Sequence, residues 1–113
     1  MLAAMRDVAL SGRCILGPTV EALEVELARK LGTDHVVAVG SGTDALRISL
    51  RCLGLPEGAE VVTSPFTFVA TASSVVQAGL RPVFADIDPS SWCLDPESAV
   101  RVLSPRAGAV LPV

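Results

Sequence analysis

Val36-Val-Ala-Val-Gly-Ser-Gly-Thr-Asp-Ala-Leu46 is the stretch that decides the class of this chain. A short run of branched apolar residues meets a Gly-Ser-Gly turn, and apolar residues then recur at helical spacing. The run His35–Val39 predicts a strand buried on both faces, since it is continuously apolar rather than alternating. Gly40-Ser-Gly42 breaks it, and a helix opens at Thr43 and Asp44. Ala45, Leu46, Ile48, Leu50 and Leu53 give that helix its apolar face, and Gly54 closes it.

The same punctuation extends in both directions. Met1–Leu10 reads as a helix stopped by Gly12. Pro18 suits the first turn of the next helix, where its missing N–H is no loss. Val20, Leu23, Leu27 and Leu31 predict one buried stripe along it, and Gly32 ends it. Beyond the central turn, Glu60–Thr63 and Pro82–Ala85 read as strands, with a helix over 68–78 between them. Asp95-Pro-Glu97 opens a further helix with an N-cap, a first-turn proline and an early carboxylate suited to the helix dipole. Residues 107–113 begin a fourth strand. Strand and helix alternate throughout, so the expected class is α/β with a mainly parallel sheet.

The central turn carries the first chemical signal. The first N–H groups of a helix have no intrahelical acceptor, and the dipole makes that end attractive to anions. Gly42 lets a phosphate approach the backbone closely, and the Thr43 hydroxyl adds a donor. A plain strand-to-helix turn, with glycine for its dihedrals and Thr or Asp as a cap, explains the same residues. Gly40-Ser-Gly42-Thr-Asp-Ala45 also fits a relaxed dinucleotide fingerprint. That reading needs an acidic residue at the end of the following strand, where Ser64-Pro65 stands instead. A nicotinamide dinucleotide-binding domain is therefore the weaker alternative. The Walker pattern fails because no lysine follows the glycines.

Composition narrows the classes further. Half of the 113 residues are apolar, only 19% are charged, and the mean hydropathy is +0.55. A small domain has a large surface to cover with polar groups, so this balance predicts that further chain buries part of the surface. The net charge is −3 and the cationic residues are scattered, which excludes the basic footprint of a nucleic-acid binder. No apolar run approaches the roughly 20 residues of a membrane-spanning helix. Cys14, Cys52 and Cys93 show no paired spacing, and His35 stands alone, so neither a disulfide framework nor a metal site is expected. Buried or half-buried thiols in a reducing cytoplasm are the expectation.

Four segments in register resemble the DegT/DnrJ/StrS aminotransferases, enzymes that make amino sugars on nucleotide carriers. They are Ser11-Gly-Arg-Cys-Ile-Leu-Gly-Pro18, Ser41-Gly-Thr-Asp-Ala-Leu46, Ser64-Pro-Phe-Thr-Phe-Val-Ala-Thr-Ala72 and Arg81-Pro-Val-Phe-Ala-Asp-Ile-Asp88. Leu94-Asp-Pro96 and the closing Val110-Leu-Pro-Val113 follow the last of these, so the resemblance spans nearly the whole chain. It implies the large domain of an aspartate-aminotransferase-type enzyme, with residues 1–113 forming the N-terminal part of that single domain. It implies pyridoxal 5'-phosphate as cofactor, a keto-sugar nucleotide as acceptor, glutamate or glutamine as amino donor, and a cytoplasmic homodimer.

Residue by residue, the resemblance implies that Gly42 and Thr43 hold the cofactor phosphate while Ser41 shapes the turn. It places Phe68 against the cofactor ring and allows Phe66 to line the substrate pocket. Asp86 and Asp88 are read as turn and cap residues, because the family's ring-nitrogen carboxylate belongs to a later strand. Transamination also needs a lysine. Lys30, the sole lysine, sits near the end of an amphipathic helix beside Arg29, where solvent rather than burial surrounds it. No catalytic residue is therefore assigned. The resemblance implies that the catalytic lysine lies downstream of Val113, so these residues alone are expected to be an inactive fragment. A non-catalytic, cofactor-binding regulator of the same fold remains the alternative.

Overall fold

Glycine and proline set most element boundaries in the computed structural model, which describes residues 2–113. The elements are α1 (Leu2–Ser11), α2 (Pro18–Leu31), α3 (Gly42–Cys52), β1 (Glu60–Thr63), α4 (Ala70–Gln77), β2 (Arg81–Phe84), α5 (Pro96–Arg101) and β3 (Ala107–Val110). Met1, which the sequence reading includes in the first helix, lies outside the described residues. Pro18 and Pro96 occupy first-turn positions of α2 and α5, as their missing N–H groups favour. Gly79 ends α4 at φ +80°, a conformation that costs a side-chain-bearing residue energy. Its N–H donates to the Val76 carbonyl at 3.0 Å and the Leu80 N–H to Val75 at 3.1 Å, so two of the last helix carbonyls are satisfied.

The chain divides into two compact units, one ending at Val39 and the other comprising Gly40–Val113. In the first, α1 and α2 contain no buried residue. The stripe expected to be buried on α2 is open: Val20 and Leu27 are half-buried, while Leu23 and Leu31 are 51% and 66% exposed. Two helices and fewer than forty residues offer too little apolar surface to cover one another's faces. The strand expected over 35–39 is also absent. A strand exists only where a neighbour completes its ladder, and the described residues place none beside this run. Instead the Ala38 N–H donates to Glu24 Oε1 at 2.6 Å, and Val37 is 77% exposed.

The second unit holds a three-stranded parallel sheet in the order β2-β1-β3. The central strand is buried along its whole length, as its unbroken apolar character at Val61 and Val62 requires. Successive side chains point to opposite faces. Val61 accordingly joins Leu50 of α3 with Val75 and Leu80 on one face, and Val62 joins Ala85 and Ala99 of α5 on the other. The sheet is thus covered on both sides, as the α/β class predicts. The helix expected over 68–78 begins two residues late, because the Phe68 carbonyl takes the Thr71 N–H in a tighter turn before α4. Gly108 forms a bulge in β3, between Ala107 opposite Glu60 and Ala109 opposite Val61. A Cβ there would stand 2.9 Å from Leu55 Cδ2, so a larger residue in β3 would require that side chain to shift.

Glu60 ties the amino ends of the three strands together. It is 4% exposed, accepts from Ser104 Oγ at 2.5 Å and from Arg106 Nη2 at 2.6 Å, and lies 3.8 Å from Arg81 Nη1. The Ser104 hydroxyl holds its carboxyl below the ordinary value; burial opposes this and the Arg106 charge reinforces it. No helix among the described residues is long and apolar enough to cross a membrane. The cysteines depart from expectation: Cys14, Cys52 and Cys93 are free and exposed. They fall in loops or at a helix end, beyond the two small aliphatic clusters that form the core.

Candidate cofactor site

The N-terminus of α3 is built by Ser41. Its extended backbone, φ −162° and ψ 164°, turns the chain into the helix, and its Oγ accepts the Asp44 N–H at 3.1 Å. The Ser41 hydroxyl donates to Asp44 Oδ2 at 3.0 Å, and Asp44 Oδ1 takes Arg47 Nη2 at 2.7 Å. The Ala45 N–H closes the first helical bond on the Ser41 carbonyl. That leaves the N–H groups of Gly42 and Thr43 without an acceptor among the described residues. Two adjacent free donors at the positive end of a helix of eleven residues can bind an anion. Replacing Ser41 by alanine removes the cap, and we expect a loss of about 1 kcal/mol in the stability of this unit. Urea unfolding followed by circular dichroism measures it.

Glycine at position 42 is not explained by packing. A Cβ there would meet nothing within 4 Å, and its backbone needs no positive φ. Thr43 is half-buried, and its carbonyl accepts from Ser74 Oγ at 3.3 Å, which fixes the start of α3 against α4. Ser74 is fully buried, so this contact is shielded from solvent.

Topology brings the other expected site residues to the same end of the sheet. Leu50, near the end of α3, packs beside Ala59 and Leu80 at the amino ends of β1 and β2. The start of α3 therefore lies toward the carboxyl ends, where open α/β sheets bind their ligands. Residues 64–69 leave the carboxyl end of β1 and carry Phe66 and Phe68. Ser64 is buried and its Oγ accepts the Phe66 N–H at 3.0 Å, while the Thr67 and Thr71 hydroxyls pair at 2.8 Å. Phe68 is 76% exposed and Phe66 56%, so neither is the ordinary core residue that its type suggests.

Asp88 acts as a turn residue, as the sequence reading holds, whereas Asp86 is engaged through its backbone. Asp88 Oδ1 accepts the Ser90 hydroxyl at 2.6 Å and the Ser90 N–H at 2.7 Å, which lowers its carboxyl below the ordinary value. The Asp86 backbone N–H donates to Ser98 Oγ, and its carbonyl accepts from Asp95. Lys30 is exposed in the last turn of α2. Trp92 is the residue to which sequence reasoning gave no role. It stands at φ +63°, is 62% exposed, and its ring centroid lies 5.5 Å from that of Phe66. A bulky side chain in the left-handed region costs on the order of 1–3 kcal/mol, which the turn must offset.

Comparison with known proteins decides the family. The family model described as the DegT/DnrJ/EryC1/StrS aminotransferase family matches residues 1–113. The chain belongs to this aminotransferase family. Among its relatives is a UDP-2-acetamido-2-deoxy-3-oxo-D-glucuronate aminotransferase of Pseudomonas aeruginosa, 42% identical over 98% of this chain and 31% of that protein. Another is a pleiotropic regulatory protein of Geobacillus stearothermophilus, 38% identical over 100% of this chain and 30% of that protein. A solved Bacillus subtilis structure, ntda with bound cofactor PMP, superposes with a TM-score of 0.91 at 35% identity, over 98% of this chain and 26% of that one. The chain thus spans about a third of the length of the relatives it matches. The fold is part of the aminotransferase large domain, as the resemblance implies. An aminotransferase family also leaves no place for the dinucleotide alternative.

Proposed function

We propose that these residues form the phosphate-binding portion of a pyridoxal-phosphate aminotransferase acting on a keto-sugar nucleotide, with glutamate or glutamine as amino donor. The observation that carries this reading is the pair of free N–H groups at Gly42 and Thr43, beside a glycine that packing does not require. When bound, pyridoxal phosphate supplies an electron sink that stabilises negative charge at the substrate carbon. Gly42 and Thr43 would hold its phosphate through main-chain N–H groups and the Thr43 hydroxyl. Ser41 keeps that turn in shape by capping α3, and Ser74 holds the Thr43 carbonyl from behind. Phe68, exposed after β1, would lie against the ring and fix its plane, and Phe66 would line the substrate side. Lys30 is not placed for the proton transfers of this chemistry, so these residues bind and orient rather than turn over. We extend the proposal to one N-terminal portion of a large domain in a cytoplasmic homodimer; the exposed apolar residues Leu23 and Leu31 are surface that further chain or a partner would cover.

The experiment supplies L-glutamate and a UDP-linked 3-keto sugar to the protein carrying these residues at the relatives' length. We expect cofactor uptake and amino transfer there, and cofactor binding without turnover by the 113 residues alone. Failure of the longer protein to take up pyridoxal phosphate would end the proposal. The likeness to a pleiotropic regulatory protein favours a second reading, a cofactor-binding regulator. Uptake without any half-reaction with glutamate or glutamine would select it.

A further inference from the structure

Two hydroxyl residues of α4 are buried where alanine would serve the helix better. Thr71 is 6% exposed and Ser74 is fully buried, and both residue types are weaker helix formers than alanine. A buried hydroxyl also costs free energy unless it is paired. Both are paired, and both partners belong to the candidate cofactor site. Ser74 Oγ donates to the Thr43 carbonyl at 3.3 Å. The other end of that peptide unit, the Asp44 N–H, is held by Ser41 Oγ at 3.1 Å. The peptide that follows the two free donors is thus fixed from both sides.

Thr71 acts on the second segment. Its hydroxyl pairs with that of Thr67 at 2.8 Å, and its N–H donates to the Phe68 carbonyl at 3.0 Å. Residues three apart share one helix face, so a single turn of α4 grips the phosphate turn with one residue and the Phe68 segment with the other. All of these residues lie in the second unit, whose own core buries the two hydroxyls, so the bonds do not depend on what covers the outer surface. We propose that Thr71 and Ser74 are positioning residues that set the spacing between the phosphate donors at Gly42 and Thr43 and the ring-facing Phe68. The inference rests on the cofactor reading above. A ligand with an anionic end and a flat ring gains from both contacts at once only where the site is already spaced to receive them.

The test uses pyridoxamine 5'-phosphate and its two halves, inorganic phosphate and pyridoxamine, on the protein carrying these residues at the relatives' length. Ser74→Ala and Thr71→Val each remove a hydroxyl with little change of volume. Each should weaken pyridoxamine phosphate binding by about fivefold, the scale of one neutral hydrogen bond. Each should also reduce the circular dichroism induced in the absorption band of the bound ring. Affinity for either half alone should stay within about twofold, since only the spacing has been loosened. Thr71→Ser, which keeps the hydroxyl, should bind as the parent does. The ring signal of Ser74→Ala is decisive, because that hydroxyl bonds to the phosphate turn and not to the aromatic segment. Ser74→Ala leaves no buried donor unpaired, so its melting temperature should hold, and Thr71→Val repeats the test from the other end. Unchanged affinity and ring signal, or a loss for inorganic phosphate equal to that for pyridoxamine phosphate, overturns the inference. A parent protein that binds no pyridoxamine phosphate removes the cofactor reading and this inference with it, whereas a parent that binds and variants that match it remove the inference alone.

Discussion

Gly42→Ala is expected to leave the fold intact and to weaken pyridoxal phosphate binding by about tenfold or more. The added methyl meets no protein atom within 4 Å, and the position requires no left-handed backbone. Alanine also loses less conformational freedom than glycine on entering a helix, so the melting temperature should hold or rise slightly. The same methyl would occupy the space through which a phosphate reaches the two free N–H groups. A tenfold loss corresponds to about 1.4 kcal/mol, the scale of one hydrogen bond to a charged group lengthened or lost. Thermal melting and cofactor titration of the one variant give both halves of the result. Unchanged affinity would mean that Gly42 serves the turn and nothing else.

Glu60→Gln is expected to flatten the loss of stability in acid. Glu60 has its carboxyl held below its ordinary value of 4.5, first by the Ser104 hydroxyl and then, against the opposing effect of burial, by Arg106. A depressed folded value means that the unfolded chain binds the proton more readily. The resulting stability is complete above about pH 4.5 and is lost as the pH falls through the lower folded value. Glutamine can still accept from Ser104 but carries no charge for Arg106 and Arg81, so the variant melts lower near neutral pH. Its midpoint should then change less than the parent's as the pH is lowered toward 3. Asp88, whose carboxyl is also lowered, by Ser90, contributes to the remaining slope. Parallel pH profiles for the two proteins would show that Glu60 does not govern the acid response.

The second unit was legible because its signals are local. Gly79 ends a helix through its own backbone bonds, and Asp95 caps α5 by accepting the N–H groups of Glu97 and Ser98 at 3.1 Å. Neither requires knowledge of distant chain. Burial of Val61 and Val62 on opposite faces likewise follows from an unbroken apolar strand. The run 35–39 and the α2 stripe misled because their signals are relational. Branched residues mark surface that could be covered, and only a neighbour determines whether it is. Phe66 and Phe68 were marked by resemblance, since a phenylalanine looks the same in sequence whether it packs or waits. Trp92 was missed for a similar reason. Its left-handed backbone and its contact with Phe66 arise from the bonds of residues 88–93, and no spacing rule announces them.

The central claim is that the start of α3 receives the phosphate of the cofactor. Amide resonances of the nitrogen-15-labelled protein, followed as pyridoxal phosphate is added, test it at the donors themselves. Those of Gly42 and Thr43 should move most, inorganic phosphate should move the same pair in competition, and pyridoxal without phosphate should leave them in place. Binding of pyridoxal phosphate with these two amides undisturbed would contradict the account.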